Sequence, residues 1–207
     1  VNIDKDPIVA LTPEDFEHDA QLSPSGKYVI STHSTPDTPP VTVLRDATGR
    51  ILQELGRTDV SKLTATGWTP PMRITMKGRD GTTDIYGVLF RPSTFDPAKK
   101  YPIINQIYPG PQTGSMGSRA FSPARGDAGA LAELGFIVVQ IDGMGTPNRK
   151  KSFMDAYYGK MGDNTLPDQV AGMKELAARF PWIDLTRVGI WGHSGGGFAT
   201  ADAMFRY

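Results

Sequence analysis

The tightest constraint on this chain is a run of glycines around one serine, Gly192-His193-Ser194-Gly195-Gly196, lying between a strand-like stretch, 188–191, and an apolar helix-like one, 196–205. The run fits the pattern Gly-x-Ser-x-Gly, which carries weight only when a buried strand precedes it and a helix follows at once. Both conditions are met. A sharp strand-to-helix turn strains the serine backbone and leaves no room for Cβ atoms on its neighbours, so glycine fits beside it. Such a turn lifts the hydroxyl above a sheet and aims the following N–H groups at the same spot, while the helix N-terminus adds partial positive charge for an oxyanion. The competing reading is a glycine-rich turn that binds phosphate or nothing. A dinucleotide fingerprint is disfavoured because Gly-x-Gly-x-x-Gly opens the first strand–helix unit, whereas this motif comes late. A P-loop is disfavoured because its lysine is missing. The all-β chymotrypsin-like proteases, which also carry Ser-Gly-Gly, do not fit a strand, an elbow and an apolar helix.

Periodicity changes along the chain. Between His18 and Leu55 the pattern predicts short antiparallel strands with turns at Ser23-Pro-Ser-Gly26 and Asp46-Ala-Thr-Gly49. Pro36, Pro39 and Pro40 predict a loop between two of them, because proline gives no N–H to a ladder. Gly78-Arg-Asp-Gly81 predicts a hairpin turn between 72–77 and 82–90. After Pro92 strands alternate with helices. The stretch 136–141, Phe-Ile-Val-Val-Gln-Ile, is almost unbroken in apolarity, as in strands buried on both faces of a parallel sheet. Thr165 and Asp168 suggest a capping-box-like start for a helix in which Val170, Met173, Ala177 and Phe180 recur at helical spacing. This order predicts an α/β fold, a doubly wound sheet preceded by antiparallel strands, with residues 1–65 in the first region and 66–207 in the second.

Composition narrows the function classes. Lys plus Arg and Asp plus Glu are both 22, so no net field favours nucleic acid, an anionic membrane or a polyanionic substrate. With no cysteine there is no disulfide, thiolate zinc site or cysteine nucleophile. No metal or cofactor is expected, and no apolar run approaches the roughly 18 residues of a membrane span. Val1 to Pro7 lacks the basic and apolar regions of a signal peptide, and the compartment stays open between cytoplasm and export.

Four motifs occur in order: Ile107-Tyr-Pro-Gly-Pro111, Ile141-Asp-Gly-Met-Gly-Thr146, Asp168-Gln169 and Trp191-Gly-His-Ser-Gly-Gly-Gly197. In order and approximate spacing they resemble the prolyl oligopeptidase family, and its dipeptidyl peptidase IV branch most. The resemblance implies an α/β-hydrolase domain, here an incomplete doubly wound sheet, preceded by the end of a β-propeller. It implies Ser194 as nucleophile, the Gly195 N–H as one oxyanion donor and the Tyr108 hydroxyl as the other. Read on its own residues, Tyr108 also fits a packed aromatic with its hydroxyl in solvent. The lipase donor motif His-Gly-Gly-Gly is absent, which favours a peptidase. Two positions depart from the family pattern. Met144 stands where many relatives have arginine, and Gly195 stands where relatives of the dipeptidyl peptidase IV branch often have tyrosine, so the family's preference for proline does not transfer directly.

The catalytic triad of this fold runs Ser, then Asp or Glu, then His. Only 207 − 194 = 13 residues follow Ser194, none of them histidine, and their one acid, Asp202, falls on the elbow's own helix. His193 adjoins the serine at a turn where neighbouring side chains diverge, and His18 and His33 suit surface or turn positions in the first region. The acid and base are therefore expected beyond Tyr207, in a longer enzyme. The expected function is a serine-type peptidase acting on a peptide or oligopeptide, with the rest of its own enzyme as partner and a homodimer as an open option. An esterase using the same elbow and a non-catalytic scaffold remain as alternatives.

Overall fold

The computed structural model describes residues 9–207, so the reading of residues 1–7 concerns a segment outside the described residues. Chain contacts divide it into two units, one running to Thr66 together with Arg119–Phe121, the other formed by Gly67–Ser118 and Ser122–Tyr207.

The first unit is a meander of four antiparallel strands, β1 (Glu17–Leu22), β2 (Tyr28–Thr35), β3 (Thr38–Asp46) and β4 (Ile51–Arg57), in sheet order β1-β2-β3-β4, with burial alternating along β2 and β3. A short helix, α1 (Ser61–Thr64), follows. Val29, Ser31, Val41, Val43 and Arg45 lie buried on one face, matching the period of two that a half-buried strand imposes. Arg45 is 1% exposed, and its guanidinium donates to Glu14 Oε1 (3.0 Å) and to the carbonyls of Gly49 (2.9 Å) and Leu11 (3.3 Å). Gly49 has φ +88°, and a Cβ there would stand 2.6 Å from the Leu11 carbonyl oxygen, so only glycine closes this turn.

Two sequence expectations fail in this unit. The proline-rich stretch is a two-residue connection, Pro36-Asp37, and Pro39 and Pro40 belong to β3. They sit at its start, beside a register shift between His33 and Thr35, where the ladder asks least of their missing N–H, and the Pro40 carbonyl still accepts the Thr58 N–H at 2.9 Å. His18 and His33 occupy no turn; they pair across β1 and β2 with ring centroids 5.6 Å apart.

The second unit is an α/β layer structure. Its elements are β5 (Met72–Lys77), β6 (Asp84–Phe90), β7 (Tyr101–Gln106), α2 (Ala128–Glu133), β8 (Ile137–Asp142), α3 (Lys151–Met154), α4 (Leu166–Arg179), β9 (Ile183–Trp191) and α5 (Gly195–Arg206). Two 3₁₀ turns, Asp155–Tyr157 and Met161–Asp163, lie between α3 and α4. Strand order is β5-β6-β8-β7-β9, with β7 parallel to both β8 and β9, and with β5 and β6 joined antiparallel through the expected Gly78–Gly81 turn. Both faces of β8 are buried. On one side Ile137, Val139 and Ile141 join the apolar core with Met173 and Leu176 of α4; on the other Val138 packs with Ala128 and Ala132 of α2. Helices on both faces are what a near-continuous apolar strand demands.

The start of α4 corrects another expectation. Thr165 precedes the helix in a left-handed conformation (φ 54°), with no side-chain cap, and its Oγ1 instead meets Gln169 Nε2 at 3.1 Å. Asp168 is fully buried and accepts from Arg79 and from the Met144 N–H rather than completing a capping box. A buried carboxylate demands compensation that a helix end alone does not supply.

Candidate active site

Strand β9 delivers the chain to the elbow. Ser194 has φ 54° and ψ −118°, a sparsely populated conformation that costs about 1–3 kcal/mol and persists only where the surroundings enforce it. The enforcement is visible at the glycines. A Cβ on Gly192 or on Gly196 would collide with the Ile107 carbonyl oxygen, so β9 and α5 close onto the end of β7 only because both positions lack one. Gly195 differs, because a Cβ there would lie 3.8 Å from the Tyr108 ring, an ordinary contact. Its missing side chain therefore relieves no clash.

Ser194 is exposed, and its side chain makes no capping hydrogen bond to α5. It lines an open cleft of about 380 Å³ together with Tyr108, Gly195, Gln112, Tyr157, Asn164 and Phe198, among others. The three residues assigned to the chemistry from the sequence, Ser194, Gly195 and Tyr108, thus share one cavity. Tyr108 follows β7; its N–H donates to Ser115 Oγ (3.0 Å), and its hydroxyl oxygen accepts from Gln112 Nε2 (2.9 Å), which leaves the phenolic proton free to donate elsewhere. A Cβ on Gly110 would stand 2.5 Å from the Tyr108 ring and 2.7 Å from Gln112 Oε1, so that glycine lets the two side chains converge.

The loop carrying Tyr108 is tethered to Asp142 at the end of β8, whose Oδ1 accepts the N–H groups of Ser115 (2.7 Å) and Met116 (3.1 Å). Withdrawal from water pushes the Asp142 carboxyl up to about 6, and these N–H donors and the charges of Arg125 and Arg149 offset that only in part. Between an ordinary 3.8 and about 6 the folded protein holds more protons than the unfolded chain, so stability falls as pH rises through that window. The displacement corresponds to about 3 kcal/mol. Asp142→Asn keeps an acceptor for both N–H groups and removes the titration. Urea unfolding of the complete protein from pH 4 to 7 should show this fall in the parent and its loss in the variant; parallel curves would refute the linkage.

The histidines and acids complete the survey. His193 adjoins Ser194 and is exposed, while His18 and His33 belong to the first unit. Asp202, on α5, is engaged by Asn164 Nδ2 (3.0 Å) and by Arg206 Nε (2.7 Å). Among the described residues no group of three or more His, Cys, Asp or Glu could hold a metal ion, and no helix is long and apolar enough to cross a membrane. Sequence reasoning missed Arg79, Asn105 and Asn164. Gln169 accepts from Asn105 Nδ2 (2.9 Å) and donates to the Ile141 carbonyl (3.0 Å), tying α4 to β7 and β8 beneath the site. The one signal available was the charged pair inside Gly78-Arg-Asp-Gly81, which marked a turn and nothing more.

A mixed sheet flanked by helices, with a strained serine at a glycine-lined strand-to-helix elbow, defines the α/β-hydrolase class of fold, and the meander before it is of the propeller-blade type. Residues 124–206 match the prolyl oligopeptidase family. Mouse dipeptidyl peptidase 8 is 32% identical over 96% of this chain and 23% of its own length. A solved structure of a Bacteroides ovatus protein named for dipeptidyl aminopeptidase IV superposes with a TM-score of 0.81 at 35% identity, covering 94% of this chain and 27% of that one. Dipeptidyl peptidase 4 of Porphyromonas gingivalis gives a TM-score of 0.76 at 27% identity, over 95% of this chain and 28% of that one. The chain belongs to the prolyl oligopeptidase family and spans about a quarter of the length of these relatives.

Proposed function

We propose that this chain is the nucleophile-bearing part of a serine peptidase, with residues 1–65 ending a propeller and residues 66–207 beginning the catalytic domain. The observation that carries the reading is the strained, exposed Ser194 facing the same cleft as the Tyr108 hydroxyl. In the reaction Ser194 Oγ forms a bond to the carbonyl carbon of a peptide and gives its proton to a base. The carbonyl oxygen becomes an oxyanion held by the Tyr108 hydroxyl and the Gly195 N–H. Collapse expels the amine with the returned proton, and water then releases the acyl group by the same path. The base and its acid partner come from sequence after Tyr207, following the chain order Ser, Asp, His. That remainder of the enzyme is the partner this chain requires. The lining residues of the cleft carry no charged side chain, which suits an uncharged residue before the scissile bond.

The experiment uses the complete protein with a peptidyl diphenyl phosphonate, followed by peptide mapping. The label is expected on Ser194, and turnover is expected on a peptide amide as well as on the ester of the same acyl group. A label on any other residue would refute the assignment of the nucleophile. Turnover of the ester alone would place the chain among esterases.

A further inference from the structure

One wall of the cleft is formed by Met161, Gly162 and Asn164, and it ends in unfavourable backbone. Asn164 and Thr165 are consecutive non-glycine residues in the left-handed region (φ 53° and 54°). Neither would hold that conformation unless its surroundings over-determined it. From one side the nucleophile helix grips the wall, since Asn164 Nδ2 donates to Asp202 and Arg206 donates to the Gly162 carbonyl at 3.1 Å. From the other side it is paired with Arg79, at the tip of the β5–β6 turn.

Arg79 Nη1 and Nη2 donate to the two carboxylate oxygens of Asp163 at 2.5 and 2.7 Å, and Asp163 closes the 3₁₀ turn that carries Met161 and Gly162. The same side chain donates from Nε and Nη2 to Asp168 at 3.0 and 2.9 Å, and the Arg79 backbone N–H donates to Asp168 at 2.8 Å. Asp168 is 0% exposed and also accepts the Met144 N–H at 2.8 Å, so it is a fixed point in the interior. A guanidinium alone among cationic side chains has the planar donor array for two carboxylates at once. We infer that Arg79 is a positioning residue for the cleft, tying the wall at residues 161–164 to the buried Asp168 and so fixing its distance from Ser194. Met144 gives Asp168 its backbone N–H while its side chain packs against the apolar core, and the guanidinium at this carboxylate comes from the hairpin.

The inference rests on the proposed peptidase reading, and its test separates the two. In the complete protein, Asp163→Asn weakens the hold on the wall while leaving the Arg79–Asp168 pair intact. Arg79→Lys keeps a charge for Asp168 but not the fork. Each variant is expected to raise KM for a peptide amide about tenfold with kcat within twofold, because the wall binds ground and transition states alike. The rate at which a small alkyl fluorophosphonate labels Ser194 should stay within twofold of the parent, since that probe occupies the reacting centre and not the wall. The double variant should be no worse than Arg79→Lys alone, as expected of two residues acting through one contact. An unchanged KM in Asp163→Asn would overturn the inference, as would equal losses in kcat and in labelling, which would reveal a general structural role. Failure of the parent to label at Ser194 would instead bring down the peptidase reading, and this inference with it.

Discussion

Replacing Ser194 with alanine in the complete protein is expected to reduce peptide turnover by about 10⁶-fold, the scale of loss when the serine of a catalytic triad is removed. The substitution is clean on structural grounds. The Ser194 side chain is exposed and makes no cap to α5, so its hydroxyl holds nothing in place. Alanine carries the same Cβ and meets the same backbone strain at φ 54°, so the elbow keeps its shape. Binding should survive, because the loss falls on a bond made only during the reaction. The check is a paired measurement of kcat and of the inhibition constant of a product peptide: a fall in the first with little change in the second. A variant retaining a hundredth of parent turnover would show that another group attacks the carbonyl.

Tyr108→Phe is expected to reduce kcat by about 10²- to 10³-fold, the usual consequence of losing one oxyanion donor. The ring stays. Its position is set by Gly110 and by the loop tethered to Asp142, neither of which involves the hydroxyl, so phenylalanine should occupy the same place. Gln112 Nε2 loses its acceptor, but at an exposed site water replaces it. Since the phenolic proton meets full negative charge only in the tetrahedral intermediate, the loss should appear in kcat and in kcat/KM together. A change confined to KM, or none, would reduce Tyr108 to a packed aromatic.

The elbow was legible in the sequence because its requirement is local: glycines at Gly192 and Gly196 answer to one backbone contact with Ile107, and their spacing survives translation into sequence. The apolar run 136–141 was legible for the same reason, its two-sided burial being written residue by residue. The start of α4 was not. Thr165 and Asp168 have the right types for a capping box, yet what decides their conformation is Arg79, 89 residues away from Asp168 in the chain. Nor were Pro39 and Pro40, whose tolerance in β3 depends on a register shift that only the pairing with β2 creates. Chemistry set by near neighbours could be read; chemistry set by a partner brought in through the fold could not. Nor was the contrast of Gly195 with Gly192 and Gly196 legible, because the Ile107 carbonyl that closes on the last two and the Tyr108 ring that stands off from the first are brought there by the fold.

The carbonyl of Ile107 has a wider consequence. It is the hard stop against which Gly192 and Gly196 close, its residue's N–H is bonded to the Trp191 carbonyl at 3.0 Å, and the next residue in the chain is Tyr108. Ser194 and Tyr108 are therefore indexed to one peptide unit, and their separation behaves as a gauge length machined into the backbone. Repacking of apolar side chains deeper in the sheet moves the two as a single part. The interior can drift in sequence while the working distance above it keeps its tolerance.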